Sequence, residues 1–553
     1  MKNQFSEIFL SKGVNYLLDD APLINIIKFL DITYDSDLAN LGLFVSNEVV
    51  ESADFIDHEA KPVLRTWSVL GKRIDYVRIS PDHRNLLNKL LAFGIVRKSI
   101  ESEFPLTYHF LSGYLISDSG LFCTLTLTAQ TAYAISKYGD QNLKDIYLKN
   151  YLSLEDPWLG ATYYSETQGG SDLGANNTIA TEKGGLWTIS GTDKYFASDA
   201  GLADGAIVTA KVVEGYGAKN LAVFFVPAYK DNGDLNYKIR RLKDKLGTIA
   251  VPTGEVEFDN SEGFLIGDKK KGVYYAMEIL TISRIDDAIA AVGIARKALW
   301  EAYLFANRRE AFGKKIIDHP LLLRDFLENE AELEAAIFLS VFAADKFSKS
   351  SKSEPPYSND YNYARLLSHI AKNMASWTSA EVTRYSMEIF GGIGFFEEFP
   401  VAKFHRDAIV TSIWEGTSNI QALDMLEAIQ KKKAHILFLE EFDKLTSAFP
   451  DQKVKTMLNK EREKILLLLD SMLNLGTGEL FAKDLLSKLG EYASTVLLYS
   501  VGFNARNQKD KNSILNSANI YFWRHFRKND IMPEEFISGD KSENLKWMLK
   551  RQQ

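Results

Sequence analysis

From Asp82 to Leu152 apolar residues recur at helical spacing, as in Leu86, Leu87, Leu90, Leu91 and Ile95, which turns one face of each helix toward a core. The Gly139-Asp140 pair interrupts that period, and helical patterning resumes over Leu143 to Leu152. The first eighty residues are less regular and read as short helices joined by loops. At Asp156-Pro157 the pattern changes. Trp158–Tyr164, Leu186–Ser190, Ala206–Lys211, Leu221–Pro227, Tyr237–Leu242 and Thr253–Phe258 read as short strands between Gly, Asn and Asp turn signals. Within them Glu255-Val-Glu-Phe258 alternates cleanly. Such spacing predicts a β-rich domain of about a hundred residues, a small barrel or sandwich.

Helical period returns near Gly272. Met277–Arg308, Leu321–Ser348 and Tyr363–Phe390 carry long apolar stripes, and a further helix opens near Gly416. Long helices with short links pack best as a bundle. More helical pattern follows Gln430. The chain therefore reads as α+β and mostly α, in four parts. These are a helical region over 1–155, a β-domain over 156–270, a four-helix bundle over 271–430 and an extra helical region over 431–553.

Composition narrows this picture without pointing to a chemistry. Of 553 residues, 46% are hydrophobic and 25% charged, as in an ordinary globular chain with large cores. A formal net charge of −8 supplies no overall pull toward nucleic acid or anionic lipid. The single cysteine, Cys123, excludes an intramolecular disulfide and fits a reducing compartment. Met1 to Leu10 carries Glu7 and lacks a continuous apolar stretch, so no signal peptide is read there. No apolar run reaches the roughly 18 residues of a membrane span. A cytoplasmic location without membrane contact is the expectation. After Gln430 there are 21 Lys+Arg against 16 Asp+Glu, an excess of five positive charges.

Two runs carry candidate chemistry. Tyr164-Ser-Glu-Thr-Gln-Gly-Gly-Ser-Asp172 follows a strand. Its small residues let backbone N–H groups approach a ligand, and Ser165 and Ser171 add hydroxyls; it also reads as a plain interstrand loop. Ile413-Trp-Glu-Gly-Thr-Ser-Asn-Ile-Gln421 leads into a helix. A carboxylate beside an aromatic at a helix start suits a general base. The same residues also suit helix capping by Thr417 or Ser418. The eight histidines form no metal-ligand pair of the HxxxH kind, and no metal is expected. Gly392-Ile-Gly394 follows a helix and lacks a third glycine, so it is no dinucleotide fingerprint.

Taken together and in order, these runs resemble the acyl-CoA dehydrogenase flavoprotein family. Ser165-Glu166 with Gly170-Ser171-Asp172 resembles that family's T-E-x-x-x-G-S-D loop, and Trp414-Glu415-Gly416-Thr417 its base-bearing motif. Lys243-Asp-Lys-Leu-Gly247, Arg309-Glu-Ala-Phe312-Gly313, Phe390-Gly391-Gly392-Ile-Gly394 and Arg406-Asp407 resemble further family segments. Gln168–Asp172, Arg241–Gly247, Ser412–Gly416 and Gly71–Arg78 are most similar to the AidB branch, linked to the alkylation response.

The resemblance implies the acyl-CoA dehydrogenase fold, FAD as cofactor, an acyl-CoA substrate, an unnamed electron-transfer acceptor and a homo-oligomer, usually a tetramer. It implies Glu415 as the base that takes the substrate's α-proton while the β-hydrogen leaves as hydride. Flavin contacts are implied for Tyr164, Ser165, Gly170, Ser171, Arg309, Phe312, Gly392, Trp414, Thr417 and Asn419. Phe196 and Ser198 join them if Lys194 matches the family's turn, a register that requires one extra residue there; matching Gly191 instead puts Ala197 at that place. Arg284 matches an arginine near the acyl-CoA pocket, and it also reads as a helix ion pair with Asp287. The AidB likeness implies an alternative, a DNA-associated protective flavoprotein. Lys431-Lys432-Lys433, Arg506–Lys511 and Arg524–Lys528 would then supply the basic surface.

Overall fold

The computed structural model describes residues 9–537 except 104, 105, 214, 216, 475–477, 528, 529 and 531, together with residue 545. Most of the Met1–Leu10 segment therefore lies outside the described residues. The chain forms two compact units assembled from separated segments. One holds Glu51–His109 and Asp118–Ser283; the other holds Met1–Val50, Phe110–Ser117 and Arg284–Gln553.

The first unit is built on strands. β1 (Val63–Trp67) and β2 (Arg73–Arg78) form a hairpin inside a stretch whose pattern predicts only helices and loops. Seven more strands make one sheet: β3 (Gly160–Tyr163), β4 (Ile179–Lys183), β5 (Leu186–Ala197), β6 (Gly205–Lys211), β7 (Leu221–Pro227), β8 (Lys238–Leu242) and β9 (Gly254–Leu265). Pairing runs β6-β4-β5-β9-β7 and returns from β7 to β6, so the sheet closes on itself as a small barrel. Ile189, Val208, Phe224, Val226, Ile239 and Val256 fill its interior. β4 has no apolar alternation because Thr181, Glu182 and Lys183 are all exposed, which is why periodicity misses it. β5 and β9 exceed the predicted segments because bulges carry both strands around the barrel. Against this barrel the Ser119–Tyr138 helix is capped by Asp118, whose side chain accepts the Leu121 N–H, and stops at Gly139.

The second unit is helical. Its bundle comprises Gly272–Arg308 (from residue 284 onward), Pro320–Ser350, Asn359–Phe390 and Ser418–Lys432, hereafter the first to fourth bundle helices. The third begins where Ser358 caps the Tyr361 N–H and ends at Gly391, whose φ of +68° suits glycine. A buried fork joins the first two helices: Arg296 donates to both oxygens of Glu330 at 2.6 and 2.9 Å. The tail helices Ala482–Asn504 and Gln508–Phe526 pack on the second bundle helix and on each other.

Candidate functional site

Within the helical unit, the segment between helix Pro400–Thr411 and the fourth bundle helix turns sharply at Glu415 and Gly416, whose φ values are +55° and +101°. A non-glycine residue in this region costs on the order of 1–3 kcal/mol and persists only where its surroundings enforce it. Here the main chain is gripped from three sides. Arg284 Nε donates to the Glu415 carbonyl at 3.0 Å. Gln421 Nε2 donates to the Glu415 and Gly416 carbonyls at 2.8 and 2.9 Å. Lys372 Nζ donates to the Gly416 carbonyl at 2.9 Å.

Each clamp is itself held. Arg284 is buried and its Nη2 meets Asp424 at 2.7 Å. Despite burial, the Arg284 guanidinium keeps the Asp424 carboxyl below its ordinary range. Lys372 and Asp287 lie 3.5 Å apart, both buried; burial pushes the ammonium down and the carboxyl well up. Gln421 Oε1 is 2.9 Å from His369 Nδ1.

Two sequence readings change here. Thr417 occupies the N-cap position, but its side chain makes no cap hydrogen bond, and Ser418 Oγ accepts instead from Trp377 Nε1 at 2.9 Å. Arg284 pairs with Asp424, not with Asp287, because Lys372 holds Asp287. Trp414 is half-buried beside Glu415, whereas Thr417 and Asn419 are exposed.

Elsewhere in this unit Arg309 and Phe312 lie on a small two-stranded turn. Phe312 has φ +54° and is 96% exposed, and Arg309 is exposed too. Gly392, just past the third bundle helix, is exposed, and a Cβ built there would meet nothing within 4 Å.

The barrel unit carries the other candidate residues. Loop 164–172 is anchored by Glu166, fully buried against Lys194 at 3.0 Å. Glu166 accepts from the Asn177 and Thr178 N–H groups, and Lys194 donates to the Tyr164 and Thr209 carbonyls. Ion pair and amides together keep Glu166 ionised against its burial. The Tyr164 ring is buried while Ser165 is half-buried and Ser171 exposed. A Cβ on Gly170 would strike Ser165 Oγ, so a larger residue there requires the Ser165 hydroxyl to turn away.

Along β5 three residues advance from Gly191 to Lys194 while β9 advances two, from Phe258 to Val256. Between Ile189 and Gly191 the shift runs the other way, two residues against three, so the strands are back in step at Lys194. Beyond it Phe196 is 54% exposed, Ala197 buried in the barrel core and Ser198 half-buried. Asp199 follows, buried at φ +58°; it accepts from Thr124 Oγ1 at 2.8 Å, and burial raises its carboxyl to about 7.

Sequence reasoning missed Lys194, Asp199, His369, Lys372, Gln421 and Asp424. One signal was present: His369, Lys372 and Ser376 fall at i, i+3 and i+7, a polar line on an otherwise buried helix. Of the basic tail runs, Arg524 pairs with Glu328 and Glu332, and His525 contacts Glu332 at 3.0 Å and Glu491 at 3.4 Å. Lys528 lies outside the described residues. Among the described residues no helix is long and apolar enough to cross a membrane.

The family description "Acyl-CoA dehydrogenase, middle domain" matches residues 161–261, and "Acyl-CoA dehydrogenase, C-terminal domain" matches residues 270–430. A short-chain-specific acyl-CoA dehydrogenase of Megasphaera elsdenii is 30% identical over 355 residues, 62% of this chain and 88% of that protein. AidB of Escherichia coli (strain K12) is 26% identical over 463 residues, 79% and 81% of the two chains. The structure of Caenorhabditis elegans ACDH-11 in complex with C11-CoA aligns with a TM-score of 0.75 at 22% identity, covering 98% of this chain and 93% of that one. These relatives do not single out the AidB branch.

Proposed function

Because the chain belongs to the acyl-CoA dehydrogenase family, we propose that it is an FAD-dependent dehydrogenase of acyl-CoA thioesters, with Glu415 as the base. The observation that carries the assignment of the base is the Glu415 turn. Arg284, Lys372 and Gln421 all bind main-chain carbonyls of residues 415 and 416. They thereby spend their hydrogen bonds on orienting the residue. A carboxylate held in one direction is what abstraction of an α-proton requires.

When bound, FAD would supply the two-electron sink that takes the β-hydrogen as hydride. The proposed contacts are Ser165, Gly170, Ser171, Phe196 and Ser198 in the barrel unit, and Arg309, Phe312, Gly392, Trp414, Thr417 and Asn419 in the helical unit. The fit is supported by the close approach of Ser165 Oγ to Gly170, by the open backbone at Gly392 and by the exposed Phe196 face. The exposure of Phe196 favours the register that offers Phe196 and Ser198 over the one that offers the buried Ala197. Tyr164, with its ring buried, contributes through its backbone. Glu415 accepts the α-proton, Trp414 limits water beside it, and Arg284 sustains the turn, with Nη1 left over for the acyl-CoA side of the pocket.

The DNA-associated reading draws less support. Arg524 and His525 are engaged by Glu328, Glu332 and Glu491, which leaves the tail a weaker basic surface. If that reading held, duplex DNA would be retarded at low salt and released steeply as salt rises. The enzymatic reading is tested by Glu415→Gln: the variant should bind FAD and leave it unbleached by any acyl-CoA that bleaches the native protein. Bleaching at the native rate would remove Glu415 as the base.

A further inference from the structure

Gln421 makes two of the four hydrogen bonds on the Glu415–Gly416 main chain, and its own orientation depends on a neighbour. Since Nε2 donates to both carbonyls, the amide nitrogen faces the turn and Oε1 faces away. That oxygen lies 2.9 Å from His369 Nδ1. An amide oxygen only accepts, so Nδ1 must carry the proton. The ring's Nε2 has no hydrogen-bond partner among the described residues, as suits the unprotonated nitrogen of a neutral imidazole. Burial, with Arg284 and Arg365 nearby, pushes the imidazole down to about 3, so the ring stays neutral at any working pH.

The third bundle helix grips the same segment at two more points. Lys372, one turn on, holds the Gly416 carbonyl, and Ser376, another turn on, donates to the Thr411 carbonyl at 2.9 Å. A single helix face therefore sets residues 411–416. Of its three contacts, the one from His369 is relayed through a second side chain. The charged groups facing this assembly are Arg284 and Asp287 from the first bundle helix, Arg365 and Lys372 from the third, and Asp424 from the fourth.

We propose that His369 is a positioning residue: locked as the Nδ1–H tautomer, it fixes the Gln421 amide and, through it, the direction of the Glu415 carboxylate. The inference rests on the reading of Glu415 as the base. His369 touches neither substrate nor cofactor, and its loss slows the proton-transfer step without weakening acyl-CoA or flavin binding.

The test uses the FAD-loaded enzyme and an acyl-CoA that reduces it. His369→Leu keeps bulk and removes the donor, whereas His369→Gln restores an N–H donor at similar reach. The expectation for the leucine variant is a kcat lower by about ten- to a hundredfold, with KM and flavin content within about twofold of native. The glutamine variant should regain most of that loss. Native kcat in His369→Leu overturns the proposal, as does an equal loss in both variants, which would mean that shape alone matters. Should His369→Leu fail to fold, His369→Ala takes its place with the same expectation. Combined with Gln421→Leu it should be no slower than Gln421→Leu alone, because the histidine acts only through the amide; multiplying losses would overturn the relay. Glu415→Gln separates the two levels. If that variant still turns over, the base assignment fails and this inference with it. If it is inactive while His369→Leu is native, only the relay fails.

Discussion

Glu415 tolerates φ +55° because Arg284, Lys372 and Gln421 hold the backbone around it. Since those bonds end on main-chain carbonyls, Glu415→Gln should preserve the turn, and its lost reactivity reports the carboxylate alone. Arg284 makes a different prediction. Arg284→Gln leaves the largely buried Asp424 without its cation, at a cost on the order of 3 kcal/mol. Asp424 has a depressed carboxyl in the folded protein. The stability it contributes is therefore present above the unfolded pKa of about 4 and lost as pH falls through the lower folded value. Denaturant melts from pH 7 down to 3 should show native stability declining, with the variant flatter over that range. Equal slopes would separate Asp424 from Arg284. At this scale the runs around Glu415, Ser165 and Gly170 stand out in the sequence because their motifs are local. Gln421, His369, Lys372 and Asp424 were not, because each acquires meaning only from a partner on another helix.

Among the elements, the long bundle helices were readable to within a few residues, since their apolar stripes match their buried faces. The hairpin β1–β2 was not. Burial alternates along both strands, but apolar Val63, Trp67 and Tyr76 are more than half exposed while Asp75 is buried, so residue type does not write period two into the sequence. Helix Gln508–Phe526 meets the second bundle helix through His525, which sits against Glu332 and Glu491. Burial opposes protonation, but the two carboxylates outweigh it and raise the imidazole to about 9. The resulting stabilisation, on the order of 2–3 kcal/mol, is complete below the unfolded pKa of about 6.5 and disappears as pH rises through 9. Hydrogen exchange in residues 508–526 should accelerate between pH 7 and 10 beyond the intrinsic rise, and His525→Gln should remove that excess. An unchanged excess in the variant would assign the docking to other contacts.

For the whole molecule, the resemblance implies a homo-oligomer and flavin contacts at Arg309 and Phe312; we propose that these two serve the flavin of a neighbouring protomer. The near-complete exposure of Phe312 in a single chain accords with a side chain completed by a second copy. Light scattering should report a dimer or tetramer. Phe312→Ala and Arg309→Glu should each lower FAD occupancy at least several-fold with the barrel and bundle still folded, as judged by circular dichroism. A monomer that retains full flavin would contradict this arrangement.

Acyl preference is set by pocket depth, which depends on helix packing and is not written in any motif. It is read most directly by anaerobic titration of the FAD-loaded protein with short-, medium-, long- and branched-chain acyl-CoAs, following the oxidised flavin band near about 450 nm. Rapid bleaching by one class of acyl-CoA is expected, abolished in Glu415→Gln. A protein that binds FAD yet is reduced by none of them would contradict the assignment of a working acyl-CoA dehydrogenase.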